Sequence, residues 1–106
     1  MALVTRLQHT VVFRLVHAPG SAEEAAFLAT ARGTLTAIPG VTDFTVNRQV
    51  SPKSDLTWQF SMVFADDAAY AAYDAHPAHR GFVETRWVPE VAAFQEYDLV
   101  VEQPAG

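Results

Sequence analysis

Four histidines, His9, His17, His76 and His79, are the side chains whose ordinary titration lies nearest neutrality, so proton transfer is the first chemistry to look for. The chain has no cysteine, which removes thiol nucleophiles, thiolate metal sites and disulfides. His76 and His79 flank Pro77. Proline favours the first position of a helix, which puts His79 at about the third. There the positive end of the backbone dipole disfavours imidazolium and keeps the ring neutral. A neutral imidazole at that point either takes a proton from a ligand or braces the helix start together with His76, and both readings stand. A His-x-x-His pair can also share a metal. The residue before a proline is biased toward extended backbone, however, and no third ligand has suitable spacing, so no metal and no cofactor is expected. Tyr70 and Tyr73 precede this motif, and each either packs its ring or offers its hydroxyl.

These groups must be positioned by a small number of elements. From Leu7 to Val16, His9, Val11, Phe13 and Leu15 alternate with Gln8, Thr10, Val12 and Arg14, the period of a half-buried strand. His9 therefore shares the apolar face and is either a satisfied core histidine or part of a cavity wall. Pro19-Gly20 ends the strand, and Ser21 with Glu24 has capping-box spacing, so a helix is predicted with Phe27, Ala31, Leu35 and Ile38 on its buried stripe. Pro39-Gly40 stops it. A second strand runs from Val41 to Val50, and a turn-rich loop leads to a third, where Trp58, Phe60, Met62 and Phe64 form an aromatic face. Asp66 or Asp67 caps a short helix carrying Tyr70 and Tyr73. Pro77 opens a further turn toward Trp87, and Pro89 closes that region. The last strand, from Val91 to Glu102, is apolar on both faces and is predicted to be buried on both. His17, beside the Pro19 turn, reads as a surface residue without a role.

The order β-α-β-β-α-β makes the fold class α+β and ferredoxin-like, a four-stranded antiparallel sheet covered by helices on one face. The opposite face is predicted to carry Val12, Val63, Val100 and Phe94, an apolar patch that a second copy would cover, so a homodimer is expected. With 106 residues, one domain spanning 1–106 is expected. A net charge of -5, with seven Lys and Arg that form no run, offers no footprint for nucleic acid. No stretch approaches the apolar length of a membrane span or a signal peptide, so no membrane partner and a cytoplasmic location are expected.

The stretches Gln8 to Arg14 (QHTVVFR), Ile38 to Val41 (IPGV) and Tyr73 to His79 (YDAHPAH) resemble the dimeric alpha-beta barrel, or stress-responsive A/B barrel (Dabb), family. The resemblance runs from about His9 to Leu99. It implies a ferredoxin-like protomer whose sheet pairs with a partner's to form a barrel, with the helices outside. Among plant members it implies a cofactor-independent polyketide cyclase chemistry, an intramolecular aldol condensation. Carried onto this chain, that chemistry makes His79 the base. His9 then holds the His79 tautomer or polarises a substrate oxygen, and Tyr73 donates to the developing enolate. A first-helix tyrosine of the cyclase falls at Ala31 here. The alternative reading is a non-catalytic stress-responsive module that binds a small apolar or polyketide-like ligand or only dimerises. A haem or oxygen-using monooxygenase of the same architecture is a third.

Overall fold

The computed structural model describes residues 6–102. The first strand, β1 (Leu7–Leu15), is central, because it is hydrogen-bonded on both edges in the sheet order β2-β3-β1-β4. Its neighbours are β3 (Trp58–Phe64) and β4 (Val91–Val100), and β2 (Thr42–Arg48) completes the sheet beside β3. All pairings are antiparallel. The alternation of β1 is kept, with His9, Val11, Phe13 and Leu15 buried on the helix side. A bulge interrupts β2 between Thr42 and Thr45, where Asp43 takes a left-handed φ of 52°.

Helix α1 (Ala22–Thr36) lays Phe27, Ala31 and Leu35 on the sheet. Ser21 caps it by accepting from the Glu24 N–H, as the spacing predicts. The reciprocal half of the box differs, since Glu24 accepts from the N–H of Gly20 and its other carboxylate oxygen receives the Trp58 indole N–H. Asp66 rather than Asp67 caps α2 (Asp67–Ala75), and α3 (Pro77–Phe82) follows after His76. The helix then widens into a π-helical segment, Val83–Trp87, and ends in a short turn, α4 (Val88–Glu90). Pro89 thus sits inside this last turn, where it needs no helical N–H, and does not by itself close the region.

Phe13 and Phe27, with no exposed surface, and Phe60, with 1%, centre the core. Phe13 meets Phe60 edge-on at 4.7 Å and Trp87 at 5.0 Å, so one ring joins the strand, the neighbouring strand and the π-helical segment. At the end of β1, His17 departs from the sequence reading. Its Nε2 lies 2.7 Å from Glu90 Oε1, and Glu90 also receives Arg86, whose guanidinium reaches Thr30 of α1. The Arg86 hydrogen bond, with His17 assisting, holds the Glu90 carboxyl below the ordinary carboxylate range. His17 is therefore partly buried and ties the strand end to the last helical turn.

The larger departure is β4. Phe13 pairs with Phe94, Val11 with Glu96, His9 with Asp98 and Leu7 with Val100, so Phe94 and Val100 stand on the helix side. The outer face instead carries Tyr97 and Leu99 with Val12 and Val63. An apolar pattern on both faces gives no phase, and a bulge at Arg14/Leu15 shifts the register at the strand start. In the protomer β4 is also exposed along most of its length, because it is an edge strand. Truncating the central ring by Phe13→Ala is expected to cost about 3–5 kcal/mol, read from chemical denaturation midpoints at constant m.

Candidate functional site

One wall of the site belongs to the sheet. Because β1 and β4 are antiparallel and in register, Asp98 stands beside His9 and Glu96 beside Val11 on the helix face. His9 Nδ1 lies 2.6 Å from Asp98 Oδ1. A carboxylate only accepts, so Nδ1 carries the hydrogen and Nε2 is the free ring nitrogen whether His9 is neutral or charged. The Tyr70 hydroxyl is 3.3 Å from the same Nδ1 and close enough to Asp98 to donate to it.

The other wall is helical. Tyr70 and Tyr73 lie one turn apart on α2, and their rings stack at 6.3 Å. Helix α2 stops because His76 precedes Pro77 and takes an extended conformation, φ -64° and ψ 136°. His76 then turns its own ring to the helix start and accepts the Ala78 N–H at Nδ1, 3.1 Å away, so it serves as the cap of α3. His79 falls at the third helical position, as the spacing predicts. Its Nδ1 lies 3.0 Å from the main-chain oxygen of Asp74. A carbonyl oxygen cannot donate, so in the neutral ring the hydrogen is on Nδ1 and the lone pair on Nε2.

The three sequence-predicted site residues come together. The His79 ring is 4.5 Å from Tyr73, and Tyr73 is 6.4 Å from His9. All three line one cavity of about 340 Å³ walled by Leu35, Phe60, Met62, Phe82 and Trp87. Two details depart from expectation. The His79 tautomer is held by the Asp74 carbonyl and not by His9, which is engaged with Asp98 across the cavity. Tyr70, Asp98 and Glu96 also belong to the constellation, although sequence reasoning did not single out either carboxylate. The signal that could have found them is the two-residue spacing of Phe94, Glu96 and Asp98, had the phase of β4 been known. Ala31 is buried in the α1 core and contributes nothing to the lining. Among the described residues no group of three or more His, Asp or Glu has the arrangement of a metal site.

Burial is the main cause that raises both phenols above their ordinary value. For Tyr70 the charges of Asp98, Asp74 and Glu96 add to it, and for Tyr73 the neighbouring Tyr70, Asp74 and Glu96 do. Both hydroxyls remain neutral donors through the physiological range. A phenol whose folded value is raised leaves stability intact below its unfolded value of 10.0 and subtracts from it as pH rises beyond, since only the unfolded chain then ionises. Stability is therefore expected to fall above about pH 10. Tyr73→Phe should flatten that alkaline limb relative to the native protein, read by denaturation at several pH values.

Residues 7–101 match the model of the family described as Stress Responsive A/B Barrel Domain (Dabb). A crystal structure of a Dabb family protein with a ferredoxin-like fold from Mesorhizobium loti is 52% identical, with 96% of this chain and 99% of that one aligned at a TM-score of 0.89. A dimeric ferredoxin-like protein of unknown function from Thermobifida fusca aligns over 92% of each chain at 14% identity and TM-score 0.76. The hydroxynitrile lyase of Passiflora edulis aligns over 95% of this chain and 97% of its own at 12% identity and TM-score 0.81. At those two lower identities the likeness is one of fold. No curated protein matches the sequence.

Proposed function

Since the chain belongs to the stress-responsive A/B barrel (Dabb) family, we propose that its cavity carries out cofactor-independent proton abstraction from a small β-keto substrate, leading to aldol cyclisation, with His79 as base. The observation that carries this reading is the Asp74 carbonyl at His79 Nδ1, which leaves a lone pair on Nε2 of a ring that lines the cavity. In the proposed step Nε2 takes the proton between two carbonyls, and Tyr73 donates a hydrogen bond to the enolate oxygen that forms. His9 Nε2, an acceptor in the neutral ring because Nδ1–H is held by Asp98, takes a hydrogen bond from an enol or hydroxyl group of the substrate. The enolate carbon attacks a distal carbonyl, a C–C bond forms, and the resulting alkoxide recovers the proton from His79. The apolar walls restrict which carbonyl is reached, so positioning selects the ring that closes.

The partner in this reading is a second copy. The outer sheet face supports it in two ways. Tyr97 and Leu99 are about half exposed there beside Val12 and Val63. Several polar groups of the same face already bond one another, Gln8 to Ser61, Gln59 to Thr10 and Asn47 to Gln59, which lowers the cost of covering them. Tyr97→Glu is expected to convert a dimer at micromolar concentration into a monomer, measured by light scattering after gel filtration. A native protein that is monomeric at that concentration would remove the dimer from this reading.

Proton abstraction is tested by deuterium uptake at the α-carbon of a neutral β-keto ester, ethyl 3-oxohexanoate, in D2O. The native protein should exceed the buffer rate. His79→Gln should lose roughly 10²–10⁴-fold of that excess while keeping its thermal midpoint near the native value. Full activity in His79→Gln would make the residue a structural brace. Saturable binding without any exchange would favour the alternative, a non-catalytic small-ligand module.

A further inference from the structure

We propose that the cavity discriminates by charge, accepting uncharged and cationic ligands and turning away carboxylates, with Glu96 as the specificity-determining residue. The proposal rests on the reading that this cavity is the substrate site and adds to it the class of substrate admitted. Its basis is the sign of the fixed charges among the residues that line the cavity. Glu96 and Asp74 line the cavity, and Asp98 stands beside His9 on the neighbouring strand, bonded to its Nδ1. Among the described residues lining the cavity none is lysine or arginine. Arg80 lines a shallow neighbouring depression that shares Asp74, His79 and Val83 with the cavity wall, and there it has two carboxylates, Asp74 and Glu84, for company. The net charge of -5 adds a background of the same sign.

The three carboxylates do not act alike. Asp98 receives His9 Nδ1–H and lies within reach of the Tyr70 hydroxyl, so its negative charge is spread into those bonds. Asp74 uses its main-chain oxygen to hold His79, while its side chain is two-thirds exposed, with Oδ1 at 4.0 Å from the ring. Glu96 is exposed and forms no ion pair among the described residues, yet its charge is felt by both Tyr70 and Tyr73 inside. A ligand carboxylate entering past it would meet two like charges and no lysine or arginine in the lining, and the two phenols could offer it only neutral hydrogen bonds. A keto or ester oxygen meets the same phenols without the repulsion, and an ammonium group meets attraction.

The test uses three ligands of one skeleton, 4-phenylbutan-2-one, 4-phenylbutylamine and 4-phenylbutanoate, titrated calorimetrically into the native protein at pH 7.5 in low salt. The ketone and the amine are expected to bind roughly tenfold or more tightly than the carboxylate. Glu96→Gln should close most of that gap by strengthening carboxylate binding, and so should 0.5 M NaCl, because charges at an exposed opening are screened. Equal or tighter binding of the carboxylate, no binding by any of the three, or a gap unchanged in both Glu96→Gln and high salt would each overturn the proposal. The experiment is separate from catalysis. Charge selection without deuterium exchange would leave this proposal standing and end the proton-abstraction reading, while exchange with a carboxylate that binds as tightly as the ketone would do the reverse.

Discussion

Antiparallel pairing of β1 with β4 is the interaction from which the geometry of the site follows. A strand has a side-chain period of two, so a slip of one residue in this ladder would send Asp98 to the far side of the sheet and place Tyr97 toward the helices. His9 would then lose its carboxylate and keep only the Tyr70 hydroxyl at Nδ1, a loss of a charge-assisted hydrogen bond worth about 1.5–3 kcal/mol. The register is pinned by the aromatic core as well as by backbone hydrogen bonds. Phe13 sits opposite Phe94, and both rings contact Trp87, so the packing that stabilises the protomer also aligns the His9–Asp98 pair.

The helical wall obeys a different constraint. Pro77 cannot supply an N–H to continue α2, and the chain answers with a break at His76 and a fresh helix start. The break leaves the Asp74 carbonyl near the end of α2 without a helical donor, and the His79 ring takes that place. One backbone accident thus both satisfies an orphan acceptor and fixes a tautomer. Beyond it, the π-helical segment from Val83 to Trp87 turns Val83 and Trp87 onto the cavity, while Arg86, Glu90 and His17 fasten the end of the segment to β1. Local widening of a helix at a functional cavity is a recurring use of the π turn.

Electrostatically the cavity combines two neutral phenols, two imidazoles with their Nδ1 atoms engaged, and carboxylates at the opening. Burial keeps the phenols protonated, and the carboxylates reinforce this. Such a site provides hydrogen-bond donors without a fixed positive charge. Any anion that forms within it must be stabilised by dipoles and by the proton just transferred to histidine, which favours steps in which the ion pair is short-lived.

Several features were legible in the residues alone. The period of two in β1 put His9 with Val11 and Phe13, the Ser21 and Asp66 caps marked helix starts, and Pro77 set His79 at the third helical position. Each is a local rule whose evidence lies within a few residues, and together with the motif around His79 they carried the fold class and named three candidate residues that the fold brings to one cavity. What they could not supply was the phase of β4, apolar on both faces, since only pairing with β1 and the bulge near Leu15 decide which side Phe94, Glu96 and Asp98 occupy. For the same reason the outer patch comprises Tyr97 and Leu99 in place of Phe94 and Val100. The partners of the histidines are likewise tertiary facts: Asp98 lies 89 positions from His9, and Glu90 lies 73 from His17. Spacing along the chain carries no information about contacts formed only when distant strands and helices close on one another.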